Sequence, residues 1–537
     1  MSLVVFNFHD GHMKKKILLS IILFFMIVLL PAWEEDVWNL SLNKISSIVS
    51  LIEQNYFQEI EREKLAYSSI KGMLQTLDPH SYFLDPRNFS RLREEYKGKY
   101  YGLGILIQKQ EDRLVVISPI EGGPSYRLGI RAGDIISHIN GESTKPIDGT
   151  EAMMRLRGPK GTKVNITIVR EGLNKPLELT IVREEISLHS VPYAFMLQDD
   201  IGYIFIRNFA ETTTREFEEK MESLEKLGMK KLILDLRGNG GGTFFQSIEL
   251  SDEFLPKDTL VVSIRGRNKN YNKEFLAFRD NQYEWIPLVI LINQGSASAP
   301  EIVSGAIKDN DRGLIVGENS WGKGLVQTIF SLAPNAAVAL TTAKYFTPSG
   351  RSIQRDYTNF EDYHIFKTEV PEKDREVKYT SRGRKVLGQG GISPDYEVKF
   401  SRKILTAELL FKGAYFSYAI RFANKKTALA KNLVFPNEDR AENKDFPNKK
   451  VIDQDFVVDS QVFEDFKSYL RESKIVFDLD EFAEAEDEIK RELERDLFSS
   501  IWGIEQGIKA YRKTDPVVIK AIEVFPEAAA LVEKDTH

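Results

Sequence analysis

The chain contains no cysteine. That excludes disulfides, thiolate metal sites, a cysteine nucleophile and a lipid-bearing amino-terminal cysteine together. Histidine is scarce as well: there are seven in 537 residues, with no His-Glu-x-x-His pair and no cluster at ligand spacing, so no metal and no other cofactor is expected. His189 and His364 sit in no pattern that would support a Ser–His–Asp triad. Charge of one sign is not in large excess either. A formal net charge of -6 gives no electrostatic reason to expect nucleic acid as a partner. Internal repeats are absent, and the apolar run Ile17 to Leu30 is shorter than the roughly 17–25 residues of a membrane span. What remains is the composition of a folded protein, 42% hydrophobic and 28% charged, on a chain long enough for roughly two to four domains.

The flanks of the apolar run are informative. Met13-Lys14-Lys15-Lys16 precedes it, and Pro31-Ala32-Trp33 and Glu34-Glu35-Asp36 follow. A basic start and a short apolar stretch mark an export signal, so residues 1–33 are expected to be a signal peptide or amino-terminal anchor and the protein to reach the periplasm or cell envelope. The lysines directly after Met13 point to Met13 as the true start. No small-x-small cleavage site follows, which leaves anchoring in the inner membrane by residues 17–30 open.

Residues 34–87 form a small helical segment by pattern: Leu40, Leu42, Ile45, Ile48, Val49, Ile52 and Tyr56 recur at helical spacing. Leu77-Asp78-Pro79-His80 and Asp85-Pro86 are turn formers and mark its end. Between 88 and 186 the period becomes that of strands, in Gly104 to Ile107, Leu114 to Ile117 and Val164 to Val169. Asn140-Gly141 signals a tight hairpin, since both residues tolerate positive φ. From 187 to 400 strands and helices alternate. Gly202 to Ile206 reads as a strand, Thr213 to Leu227 as a helix capped by threonine and stopped by Gly228, and Lys231 to Leu236 as a buried strand. Leu288 to Ile292 is continuously apolar, as in a sheet covered on both faces. Residues 401–537 are charged and mainly helical, with Asn432 to Val451 reading as a loop. Ile489, Leu493, Leu497, Ile501, Ile504 and Ile508 form an apolar stripe, which is either the domain's own packing face or a contact between copies of the chain.

The stretch 88–186 resembles a PDZ domain. Its Gly102-Leu103-Gly104-Ile105 stands where the family has a Gly-Leu-Gly-Phe-like loop, and Gly129 to Asp134 matches a Gly-x-x-x-Gly-Asp segment. The glycines let successive backbone N–H groups converge on an anion. In the family that anion is the carboxylate at a peptide's C-terminus, so the resemblance implies protein or peptide substrates held by their C-termini at Gly102, Leu103, Gly104 and Ile105.

Five further blocks carry chemistry. The strand Leu288 to Ile292 runs through Asn293-Gln294-Gly295-Ser296-Ala297-Ser298-Ala299-Pro300-Glu301 into an apolar helix. A serine at a helix start has N–H groups and a dipole that favour a developing oxyanion, although alone it reads better as a cap. The other blocks are Gly322-Lys323-Gly324-Leu325-Val326-Gln327, Tyr345-Phe346-Thr347-Pro348-Ser349-Gly350-Arg351, Gly391-Ile392-Ser393-Pro394-Asp395 and Asp235-Leu236-Arg237-Gly238-Asn239-Gly240-Gly241-Gly242. Together they resemble the carboxy-terminal processing peptidases, or tail-specific proteases. The resemblance implies a multidomain α/β protein: a β-rich PDZ domain inserted before an α/β peptidase core of the spiral, ClpP/crotonase-like kind, with helical N- and C-terminal segments. It also implies that Ser298 is the nucleophile, Lys323 the general base and Gln327 its orienting partner, with oxyanion donors at Gly241 and Ala299. A lysine base works only as a neutral amine, so its ordinary pKa of about 10.4 must be lowered by burial. If 323–327 is extended, the spacing of four sets both side chains on one face.

Two features depart from the family or stand beside it. The family's third serine is Pro300 here, which has no N–H but suits a first helical turn. Asp309 aligns with an acidic residue sometimes grouped with the catalytic set. Eleven residues past Ser298 on a helix is about 16 Å, so a structural role is expected. Relatives that assemble through terminal helices make a homo-oligomer an expectation of the resemblance. Two other functions fit the residues less well: a non-catalytic PDZ adaptor on a degenerate peptidase core, and an acyl-CoA enzyme on a related core.

Overall fold

The computed structural model of the chain describes residues 43–170, 173–332, 334–365, 371–399, 401–436, 450–453 and 455–533. The export segment and the apolar run 17–30 lie outside the described residues, as does most of the loop expected at 432–451. No helix among the described residues is long and apolar enough to cross a membrane. The chain divides into two compact units, Met1–Asp85 and Pro86–His537.

In the first unit, a helix at 43–55 carries Ile45, Ile48, Val49 and Ile52 of the expected apolar spacing, and a second helix, Arg62–Gln75, follows it. The Asp78-Pro79-His80 turn forms as its composition predicts. The Asp78 carboxylate accepts the His80 and Ser81 amides at 2.7 and 2.8 Å, and a strand, Tyr82–Leu84, follows.

The second unit opens with an antiparallel sheet in the order Ile105–Gln110, Arg113–Pro119, Ile135–Ile139, Lys163–Val169, Leu177–Val182. Asn140 and Gly141 both take positive φ in the hairpin that joins Ile135–Ile139 to Glu142–Ser143. Leu103, Leu114, Val116, Ile136, Ile166 and Ile168 fill the core beneath it, closed by the helix Gly149–Leu156. Asp134 is buried and gripped by Arg170 through two hydrogen bonds of 2.7 and 2.8 Å. This is the PDZ domain.

Beyond it lies a six-stranded sheet in the order Tyr193–Gln198, Ile201–Phe205, Lys231–Asp235, Leu288–Ile292, Leu314–Gly317, Tyr396–Glu397. Its first pair is antiparallel and the rest parallel. Continuous apolarity is explained by alternation between two covered faces. Leu232, Leu234, Ile290 and Ile292 pack with Phe217, Met221, Ile248 and Val303 of three helices. Ile233, Val289, Leu291 and Val316 pack instead with Val517, Val518, Val524 and Phe525 from the end of the chain. A companion layer joins Lys273–Leu276, Leu260–Gly266, Ala336–Phe346 and Leu325–Leu332 in antiparallel order.

The helix expected at 213–227 spans Thr213–Lys226, but no threonine side chain caps it. The Thr212 hydroxyl donates to Glu216 at 2.7 Å instead, because that buried carboxylate is the stronger acceptor. In the C-terminal region Ile489, Leu493 and Leu497 are fully buried in a core of its own with Tyr415, Tyr418, Phe422 and Phe466. Those stripe residues are packing face. Gly503, at φ +97, breaks the run into helices Glu486–Trp502 and Ile504–Lys513.

Candidate active site

Ser298 stands between the strand Leu288–Ile292 and the helix Ala299–Asp309, at φ +64 and ψ -111. A non-glycine residue in that region is strained by about 1–3 kcal/mol, the situation of a nucleophile exposed on a sharp strand-to-helix turn. The surrounding bonds hold it there. Ser296 donates its hydroxyl to the Leu236 carbonyl at 2.8 Å, the Ala297 amide donates to the Asn239 carbonyl at 3.0 Å, and the Ser298 amide donates to Glu301 at 2.7 Å. Pro300 lies in the first helical turn, where a missing N–H costs nothing.

Glu301 is the residue that motif reading left without a role. It is fully buried, and its carboxylate accepts the amides of Ser298 (2.7 Å), Gly322 (2.7 Å) and Lys323 (3.0 Å) and the hydroxyl of Ser320 (2.5 Å). Burial pushes its pKa up, and these four donors pull it back. One carboxylate oxygen, Oε2, takes both the Ser298 and the Lys323 amide, so the two bond lengths bound the distance between those backbones. Two segments far apart in sequence are stapled at one point.

Lys323 is half-buried in the loop before the strand Leu325–Leu332. The stretch 323–327 is not a regular strand, as the spacing argument required. The strand begins at Leu325, and its pairing shifts register between Val326 and Gln327. The Gln327 amide nitrogen donates to Thr341 Oγ1 at 3.2 Å, and among the described residues that is its side-chain hydrogen bond. The residue left over at the register shift is Thr342, so the irregularity lies in the partner strand Ala336–Phe346.

The glycine loop abuts the nucleophile. A Cβ at Gly241 would lie 3.0 Å from Ser298 Cβ and 3.4 Å from the Ala299 nitrogen, and φ at Gly241 is +104, so glycine is required on both counts. Its amide is not a ready oxyanion donor, however, for it donates to Asn239 Oδ1 at 2.9 Å. Ala299, first in its helix, has an amide that helix geometry leaves unpaired.

The remaining blocks anchor the same helix. Asp309 is fully buried and pairs with the equally buried Arg351 at 2.8 Å, a structural role. Lys308 pairs with Asp395 at 3.0 Å, and the Ile392 amide donates to Ser320 Oγ at 2.6 Å. Behind the glycine loop, Arg237 lies between Asp235 (2.6 Å) and Asp515 (2.8 Å), and Arg512 donates to Tyr203 at 2.8 Å. Burial alone would raise the Asp235 pKa, but Arg237 and Arg512 overcome it and hold the group at about 2.

In the PDZ domain, Gly102 ends a strand, Leu103 is buried, Gly104 sits at φ +66 and Ile105 starts the edge strand. The Leu103 carbonyl accepts the Ser125 amide at 3.2 Å and the Gly104 carbonyl accepts the Ile120 amide at 2.8 Å. The Gly104 amide meets the hydroxyl of Tyr100, whose pKa burial raises.

Residues 200–360 match peptidase family S41, residues 115–170 match the PDZ domain, and residues 32–87 match the activating protease CtpB N-terminal domain. None of these matches extends past residue 360. The chain is 40% identical over 317 residues to the carboxy-terminal-processing protease of Bartonella bacilliformis, covering 58% of this chain and 72% of that protein. It is 35% identical over 314 residues to the carboxy-terminal processing protease CtpA of Bacillus subtilis, covering 58% and 66%. Among solved structures, the photosystem II D1 C-terminal processing protease is 26% identical, with 66% of this chain and 92% of that one covered and a TM-score of 0.35. With its PDZ domain ahead of an α/β peptidase core, the chain belongs to the carboxy-terminal processing proteases of peptidase family S41.

Proposed function

We propose that the chain is an exported serine endopeptidase that takes hold of protein substrates by their C-terminal regions and cleaves them with Ser298 and Lys323. The observation that carries this reading is the strained turn at Ser298, tied through Glu301 to the backbone of Lys323. Ser298 Oγ attacks the scissile carbonyl while Lys323, as a neutral amine, takes its proton and passes it to the leaving amine. The Ala299 amide holds the oxyanion, joined by Gly241 once that amide exchanges Asn239 for it. Water then hydrolyses the acyl-enzyme, with Lys323 again as base. Export rests on the basic and apolar residues 13–30.

The test is cleavage of an unstructured protein by the parent, Ser298→Ala and Lys323→Arg. Both variants are expected to lose roughly 10³-fold or more, the arginine because guanidinium stays protonated. Parent-like turnover by either overturns the assignment. Recognition by the PDZ cradle predicts that amidating a substrate's C-terminus slows its processing about 10- to 150-fold at sub-saturating concentration, the value of a hydrogen bond to a charged group. Equal rates for acid and amide would remove the cradle from the mechanism.

A further inference from the structure

In the PDZ edge strand, Ile105 and Ile107 pack toward the domain's core, so Leu106, Gln108 and Gln110 face the other way. The C-terminal region covers that face. Gln110 is buried where the chain turns at Gly413, and a Cβ at 413 would lie 2.7 Å from the Gln110 side chain. Leu106 and Gln108 do not close against the helices, and Leu106 stays 52% exposed. They border a cavity of about 340 Å³, walled by Leu106 and Ile117 on the PDZ side and by Leu410, Phe416, Ile504 and Ile508 on the helical side. Two charged residues at the cavity, Arg495 and Asp496, pair with each other at 2.7 Å, so it presents little net charge. No residue of the Ser298 or Lys323 loops contributes to it. The outer edge of Ile105–Gln110 pairs with no strand among the described residues.

We propose that this cavity is a second specificity subsite for the substrate tail, selecting an apolar residue upstream of the terminal carboxylate. The proposal rests on PDZ recognition as read above. A peptide that adds to the open edge of Ile105–Gln110 alternates its side chains between the two faces of the sheet. The side chain opposite Leu106 or Gln108 shares their face, with its Cβ about 4.5–5.5 Å away, and so enters the cavity. The C-terminal helices thus read one position of the tail while the glycine cradle reads its end. A charged side chain there would lose its water, and Arg495 at the cavity is already paired with Asp496.

The experiment uses the full chain carrying Ser298→Ala, so that ligand is not consumed, and a short fluorescent peptide with a free carboxylate. Each upstream position is changed in turn from Leu to Asp, and affinity is read by anisotropy. The expectation is one position, or two alternate ones, at which Leu binds about 10- to 100-fold tighter than Asp. Phe416→Lys and Ser500→Trp, from two different helices at the cavity, should abolish that preference. Both should keep the preference for free acid over amide, which also certifies that each variant is folded. A parent that prefers acid to amide but shows no upstream apolar preference overturns the subsite, and so does a preference that survives both variants. A parent indifferent to amidation overturns the recognition reading, and the subsite with it.

Discussion

Glu301 shows how one buried carboxylate can set the geometry of a reacting pair it never touches with its own chemistry. Glu301→Gln preserves shape but turns an NH₂ group toward donors, leaving two of the four without an acceptor. An unsatisfied buried donor costs about 1–3 kcal/mol, so kcat should fall about 10- to 100-fold. KM should change little, because substrate is held elsewhere. Kinetics on one peptide substrate check this, with circular dichroism to confirm the fold; unchanged kcat would show that the staple is dispensable. The sequence contained half of this. Ser298 and Glu301 are three residues apart at a helix start, a local capping pattern. The other donors, Ser320, Gly322 and Lys323, are 19, 21 and 22 residues away, and no periodicity reports that meeting. The Asn239 side chain on the Gly241 amide was hidden for the same reason: glycine spacing reveals a loop, not which way each amide points.

At the scale of elements, the strand Lys231–Asp235 delivers the glycine loop, and Asp515 at the start of the helix Pro516–Glu523 braces its shoulder through Arg237. Removing one partner of a buried ion pair leaves an uncompensated charge, so Asp515→Ala should cost roughly 3 kcal/mol of stability. It should also lower kcat by loosening the loop. The pH dependence has a definite sign. Asp235 and Asp515 are both held below their unfolded pKa, chiefly by the neighbouring arginines against the cost of burial. Their contribution is therefore present above about pH 4 and lost as pH falls toward 2. The stability gap between parent and Asp515→Ala, measured by urea titration, should shrink across that window; a gap independent of pH would refute the coupling. Strands are legible from apolar runs because burial on both faces forces such runs, as in Leu288–Ile292. The irregularity beside Val326–Gln327 is not legible in the same way, since a bulge is a property of the pair of strands and not of either sequence.

Across the whole molecule, the C-terminal region does what its composition did not announce. Its stripe of Ile489, Leu493 and Leu497 is spent on its own core, while Val517, Val518, Ala521, Val524, Phe525 and Ala528 cover the second face of the peptidase sheet. The sequence told that Leu288–Ile292 needed cover on two sides; only the fold tells that the second cover comes from more than two hundred residues later. Ending the chain at residue 400 would bare Tyr203, Ile233, Val289, Leu291, Leu314 and Val316, which are now sealed. At about 1.5–3 kcal/mol for each large apolar side chain, the loss is on the order of 10 kcal/mol, comparable to the whole stability of an ordinary domain. Arg237 would lose Asp515 at the same stroke. The shortened chain should therefore aggregate or bind a hydrophobic dye, and it should fail even on a short peptide that needs no PDZ domain. Light scattering and a peptide assay decide the matter. A monodisperse, active 1–400 chain would mean that the helices are an accessory to a self-sufficient core, and that the sheet face they cover tolerates water.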